Sequence, residues 1–293
     1  MEAVYDVILN ASTLRQLGSA SVNFGIKQRS GRTSGGLDPS EIYCVTGDPK
    51  ATFQTMALGT ALTAMGVTTG LFINNATITV PFAKRANGAA YGGDGTNARL
   101  NASYGHAVIT SISGSQDDDG AVAECELYFL SSDGFVVPLT TTLSQNLAAS
   151  SFVAEFAMGL GSINGTQVPQ LRSLRVNTGL TVESRRFNGA NYPTHCYIKQ
   201  RDPSIEFGFE DMDALNTFAT MAGTATAAKA WFRKRSDGGT YVSDASSVHI
   251  GLTFGAGLIT GQQVSAQGNE NASATLTVFG KALSISNGAA IAV

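Results

Sequence analysis

The sequence predicts a mainly β protein made of two tandem, homologous copies of one domain. The composition is 43% hydrophobic and only 14% charged, with 33 glycines in 293 residues, which suits a turn-rich β chain better than a helical bundle or a disordered one. Several stretches alternate apolar and polar residues with the period of a strand. Short sequence blocks also recur in the same order in the two halves.

The recurring blocks give the division. Ile26-Lys27-Gln28-Arg29 returns as Ile198 to Arg201, an offset of 172, and Asp38-Pro39-Ser40 returns as Asp202 to Ser204, an offset of 164. Thr52-Phe53-Gln54-Thr55-Met56-Ala57 answers to Thr217 through Ala222, and Gly59-Thr60-Ala61 to Gly223-Thr224-Ala225. Phe82-x-Lys84-Arg85 returns as Phe232-x-Lys234-Arg235 at an offset of 150, which Tyr91/Tyr241 and Ile109-Thr110/Ile259-Thr260 keep. Duplication followed by loop growth leaves such a pattern. Copy one is placed at residues 1–135, an insert without counterpart at 136–173, and copy two at 174–293.

Within copy one, Val4 to Leu9, Val22 to Ile26 and Ile42 to Val45 read as strands by their β-branched and aromatic content. Ser30 to Leu37 reads as a surface loop peculiar to this copy. In Gly47-Asp48-Pro49-Lys50 an N-cap aspartate precedes proline, and Phe53, Met56 and Ala57 follow at helical spacing, so one short helix is expected to end at Gly59. Copy two repeats it, with Asp211 as cap, Met212, Leu215, Ala219 and Ala222 as the apolar stripe and Gly223 past the end. Ile78 to Phe82 and Val248 to Phe254 alternate as half-buried strands. Val108 to Ile112 with Ala121 to Phe129, and Leu258-Ile259 with Ala272 to Phe279, flank polar tips as hairpins. The 136–173 insert is too apolar for a free linker and is expected to pack.

Nineteen basic against 22 acidic residues leave a net charge of −3, which argues against a surface that grips nucleic acid by its phosphates. So few charges leave much surface for contact between subunits. The first twenty residues hold Glu2, Asp6 and Arg15 and read as neither signal peptide nor membrane span. Cys44, Cys125 and Cys196 are odd in number and do not align between copies, so reduced, small and buried is the expected state.

No catalytic constellation emerges. His106, His195 and His249 each lack a counterpart, and a solvated or structural role is the simplest for all three, His249 lying on the polar side of its strand. Gly92-Gly93-Asp94-Gly95 lacks the lysine of a phosphate loop, and Asp117-Asp118-Asp119 lacks the spread ligands of a calcium loop. Asp211 caps a helix, and Glu206 alternates outward from Ile205 and Phe207. No cofactor, metal ion or enzymatic activity is expected. The repeated basic and tyrosine positions, Lys84, Arg85 and Tyr91 with Lys234, Arg235 and Tyr241, are the candidates for contact between subunits. The plain alternative is a strand end leaving the core.

The stretch Glu183-Ser184-Arg185-Arg186-Phe187-Asn188-Gly189-Ala190-Asn191-Tyr192-Pro193-Thr194 through Asp213-Ala214-Leu215, set in a duplicated, Gly-rich, nearly neutral β chain, resembles the tail tube (major tail) proteins of long-tailed bacteriophages. The resemblance is architectural and covers both copies. It implies two β-sandwich or barrel-like domains, each with one short helix and a long loop, closing as a trimer into a six-fold pseudosymmetric ring. Stacked rings would form a virion tail tube, assembled in the host cytoplasm, through which double-stranded DNA passes without specific binding. The partners implied are further copies of the chain and the tape measure, tail terminator and distal tail proteins; no membrane is involved. Loops Arg85 to Ser103 and Arg235 to Ser247 would join successive rings. A tandem β-sandwich binding module, lectin-like or a virion decoration or fibre protein, is the rival reading, though a single tryptophan speaks against sugar stacking.

Overall fold

A computed structural model of the chain describes residues 6–14, 16–32, 34, 38–66, 72–73, 76–82, 97–117, 120–145, 155–211, 214, 217–218, 226–236, 239–265 and 272–292. The described chain is mainly β. The first half contains β1 (Val7–Leu9), β2 (Ser12–Leu14), β3 (Gln16–Asn23), β4 (Lys27–Gly31), β5 (Glu41–Thr46), β6 (Lys50–Thr55), helix α1 (Leu58–Met65), β7 (Phe72–Ile73), β8 (Ile78–Phe82), β9 (Asn97–Ala102), β10 (Gly105–Ser115), β11 (Val122–Phe129) and β12 (Thr140–Gln145). The second contains β13 (Phe156–Ile163), β14 (Thr166–Gln167), β15 (Leu171–Asn177), β16 (Leu180–Arg185), β17 (His195–Arg201), β18 (Ser204–Phe209), β19 (Thr226–Lys234), β20 (His249–Ser265), β21 (Ser273–Gly280) and β22 (Leu283–Ala289).

The strands pair in the same order twice. One sheet of the first half runs β12-β9-β8-β1-β2, and the corresponding second-half pairs are β22 with β20, β20 with β19, β19 with β13 and β13 with β14. The other sheet runs β10-β11-β6-β3 in the first half and β20-β21-β18-β15 in the second. The 17-residue β20 does alone what β9 and β10 do together. Each long strand breaks register once against its hairpin partner, between Ile109 and Ser111 on β10 and between Ile259 and Gly261 on β20. These bulges lie at the repeated Ile-Thr dipeptides.

Alternation places one face of each sheet in a shared core. Phe53, Cys125, Leu127, Val176, Phe207, Leu276 and Val278 are all under 4% exposed and belong to one cluster spanning both halves. The opposite face of the same strands carries Thr52, Gln54, Glu124, Glu126, Arg175, Glu206 and Thr277, none of them buried. Helix α1 packs Leu58, Ala61, Leu62 and Met65 inward. Residues 136–173 divide between the halves: β12 pairs with β9, β13 with β19 and β15 with β18.

Two expectations are corrected here. Asp48-Pro49-Lys50 opens strand β6 rather than a helix, and the helix starts ten residues after Asp48. The alternation of Ala51, Phe53 and Thr55 (buried) with Thr52 and Gln54 (exposed) has period two, and pairing with both β3 and β11 overrides the helix-like start signal. In addition, the Ile-Lys-Gln-Arg blocks are not equivalent, because Lys27 to Arg29 lie on an outgoing strand and Ile198 to Arg201 on a returning one.

The structural correspondence instead keeps a single offset of 154 across this region. Val22-Asn23-x-Gly25 matches Val176-Asn177-x-Gly179, and Asp48-Pro49 matches Asp202-Pro203. Between them each half extends a two-stranded arm of equal length, β4-β5 or β16-β17. The register shift falls at Lys27/Gln28 in one and Thr181/Val182 in the other. Each arm begins at a glycine in the left-handed region, Gly25 at φ 56° and Gly179 at φ 62°, where a Cβ would strike the backbone of Asp48 or Asp202. Gly179→Ala is therefore expected to cost about 1–3 kcal/mol through strained backbone, measurable as a lower urea midpoint with unchanged slope.

Candidate functional site

The two halves join at a sheet edge and beneath an arm. At the edge, Ser111 to Ser115 of β10 pair antiparallel with Asn177 to Ser173 of β15, making the inner sheets of both halves continuous. Thr178 clamps the bulge: its amide donates to the Thr110 carbonyl at 2.9 Å and its hydroxyl to the Ile109 carbonyl at 2.7 Å. Arg175 reaches across to the Glu124 carboxylate at 3.2 Å, which also accepts from the Ser111 hydroxyl at 2.7 Å.

The arm β16-β17 of the second half lies on the first half. Its Cys196 packs in a cluster with Val108, Tyr128 and Leu130, flanked by Leu180, Val182 and Ile198. Polar pins fix the periphery, with the Ser184 hydroxyl donating to Asp48 Oδ1 at 2.9 Å, the Gly47 amide to the Asn191 carbonyl and the Ser131 amide to the Pro193 carbonyl. The receiving loop is shaped by Asp133, whose carboxyl the Val136 and Phe135 amides hold below its usual range.

Burial tunes the groups at this seam. Cys196 is pushed up to about 12 by burial and Cys125 is pushed up further by the same cause, so both thiols stay protonated and poorly nucleophilic. Alkylating reagents are expected to leave them unmodified in the folded protein, as intact-mass measurement would report. Tyr128 is also raised, first by burial and then by its 2.6 Å hydrogen bond to Glu126.

His106, opposite Tyr128 in the β10–β11 ladder, is lowered to about 4 by burial and by the neighbouring His195. A histidine depressed on folding favours the unfolded state as pH falls below 6.5. Its contribution shrinks between about pH 6.5 and 4, a loss of about 2 kcal/mol by pH 5. Urea titrations at pH 7 and pH 5 are expected to show that loss, reduced in His106→Gln.

The same kind of junction has an unfilled counterpart at the far ends of the chain. Strand β3, equivalent to β15, pairs only with β6, and Gly261 to Ser265 of β20, equivalent to Ser111 to Ser115, pair only with β21 among the described residues. Where Val108 is 0% exposed, its counterpart Leu258 is 42% exposed, and Phe279, which stands opposite Leu258 as Glu126 stands opposite Val108, is 45% exposed. Where Cys196 is 7% exposed, its counterpart Ile42 is 66% exposed. A groove of about 800 Å³ borders Asp202, Gly257, Leu258, Phe279 and Lys281.

Of the residues singled out for subunit contact, Lys234, Arg235 and Tyr241 lie among the described ones and make contacts within the chain. Lys84, Arg85 and Tyr91 lie outside the described residues. Lys234 sits 3.7 Å from Glu155 and over the Phe156 ring; Arg235 bridges to Tyr241 and stacks on its ring. Of the proposed ring-joining loop Arg85 to Ser103, residues 97–102 form β9 in the middle of a sheet. His249 is fully buried, its ring accepting from the Lys234 amide at 3.0 Å and lying 2.9 Å from the Ser243 carbonyl, so it is structural rather than solvated. Sequence reasoning read β5 at Ile42 to Val45 as a strand but missed most of β3, strand β4, the arm β16-β17 and the Leu258/Phe279 patch. The shared 154-residue offset of Val-Asn-x-Gly and Asp-Pro is the signal that locates them.

No helix among the described residues is long and apolar enough to cross a membrane. No protein-family model and no curated protein matches this chain.

Proposed function

We propose that this chain is a structural virion protein that assembles head to tail with copies of itself into a phage tail tube. The observation that carries the reading is the half-used junction: among the described residues, the contact that joins β10 to β15 inside the chain has both of its surfaces left over at opposite ends, on β20 and β3. A surface and its complement on one molecule, offset by a rotation, generate a ring or a helix. Unpaired sheet edges, otherwise a route to aggregation, are here the assembly surface.

In this reading the two halves are tandem homologous tube-type β-sandwich domains, and three chains close a ring of six similar units. Each chain contributes the eight strands of its inner sheets, so the ring wall holds twenty-four. At about 4.8 Å between strands the wall is roughly 115 Å around, too wide for its own side chains to fill. The polar face then lines the channel. Glu124, Glu126 and Glu206 outnumber Arg175 and Lys50 on it, and its remaining groups are mostly hydroxyls and amides, a surface that lets a phosphate backbone slide. Tape measure, terminator and distal tail proteins are the expected partners along such a tube, and the function is conduction of DNA during ejection.

Negative-stain microscopy of the concentrated protein is expected to show rings and hollow tubes. Dispersed monomers at all concentrations would favour a tandem binding module instead.

A further inference from the structure

We infer that the arm β4-β5 of one copy docks into the groove beside Leu258 and Phe279 of the next copy, with a register set by the junction already present inside the chain. The inference rests on the head-to-tail assembly proposed above and names the segment that makes the contact. The occupant is a second copy because the groove's counterpart in the first half, around Val108 and Tyr128, is filled by arm β16-β17 of this same chain. The two arms leave their sheets at equivalent left-handed glycines, run the same length and break register at the same place.

Carrying each contact across by structural equivalence gives the interface. Ile26 and Ile42 take the places of Leu180 and Cys196 against Leu258, and Phe279, the cross-strand neighbour of Leu258, widens the patch, so four side chains that are 42–66% exposed in the lone chain cover one another. Ser30 stands where Ser184 stands, with the same residue type, and its hydroxyl donates to Asp202 as Ser184 donates to Asp48. At the edge, Gly261 pairs with Asn23, Gln262 with Val22 and Gln263 with Ser21, the order in which Ser111, Ile112 and Ser113 meet Asn177, Val176 and Arg175. Phe24, 42% exposed, falls beside the Thr260 bulge where Thr178 clamps Thr110. In a desolvated seam of this kind the apolar pairs hold the arm and the serine–aspartate bond fixes its position along the sheet.

The test is site-directed cross-linking of the full chain. Ile42→Cys and Leu258→Cys are introduced together in a Cys44→Ser background and treated with a short bis-maleimide. Cross-links between chains, giving dimers and trimers on denaturing gels, are expected, and either cysteine alone should give at least tenfold less. A second variant replaces residues 28–45 by a short Gly/Ser turn and is expected to raise the concentration needed for assembly at least 100-fold while the monomer keeps its far-ultraviolet circular dichroism. Rings that form without the cross-link, or equally well without the arm, would overturn the docking while leaving the tube reading in place. Cross-linked trimers that never become hollow tubes would overturn the tube reading alone. A chain that stays monomeric and uncross-linked at all concentrations would overturn both.

Discussion

Leu258→Asp combined with Phe279→Asp is expected to yield a folded chain that no longer assembles. Both side chains are more than 40% exposed in the lone chain, so a carboxylate there is hydrated and the monomer loses well under about 1 kcal/mol. In the assembly each position would cover about 1.5–3 kcal/mol worth of apolar side chain, and a carboxylate buried without a partner adds a further desolvation cost. The combined penalty of several kcal/mol shifts the assembly threshold by at least about 1000-fold. Sedimentation across a concentration series reads that shift, and an unchanged thermal midpoint shows that the fold is intact. Assembly at the wild-type threshold would remove this patch from the interface.

Val108→Asp, the corresponding change in the first half, should do the opposite and damage the monomer. Val108 is fully buried between β10 and the arm β16-β17. A carboxylate there loses the transfer energy of the valine and is either buried as a charge or protonated at a cost, together about 3–5 kcal/mol. Against a total stability of about 5–15 kcal/mol the thermal midpoint should fall by roughly 10 °C or more. Arm β16-β17 should also become accessible to protease between Arg185 and His195. The pair of variants separates one contact in its intramolecular and intermolecular settings. Equal effects on folding at both positions would contradict the equivalence of the two junctions.

Much of the fold was legible because strand alternation survives in single segments. Ile78 to Phe82, Ala121 to Phe129 and Val248 to Phe254 each form the strand that their period indicates. The repeat was legible where the chain is pinned to one geometry, as at Ile109-Thr110 and Ile259-Thr260, both sites of a bulge. It was misleading where short identities arose by chance. Ile26 to Arg29 and Ile198 to Arg201 are alike in letters, yet lie on opposite strands of their arms. The arms share only scattered identities at this offset, Ser30/Ser184, Arg32/Arg186, Gly35/Gly189, Pro39/Pro193 and Tyr43/Tyr197, which never form a block. Their clearest common signal is backbone: a left-handed glycine at the root, an Asp-Pro at the return, and a fixed number of residues between. Lys234, Arg235 and Tyr241 drew notice as letters repeated between the halves, and within the chain they contact Glu155, Phe156 and one another. The edge of β3 had no side-chain signature, since the groups that it leaves unpaired among the described residues are amides and carbonyls.

The covalent link between the halves has a kinetic consequence. In the proposed ring of three, half of the six seams exist before any two molecules meet, so a closed ring needs two encounters between molecules instead of five. Ring formation should then follow roughly the cube of the free concentration, and nucleation should begin at concentrations where a separate single-unit subunit would still be dispersed. Because one seam is internal and the other external, the two are also free to change independently: mutation can loosen the external one to delay polymerisation without weakening the fold of the chain.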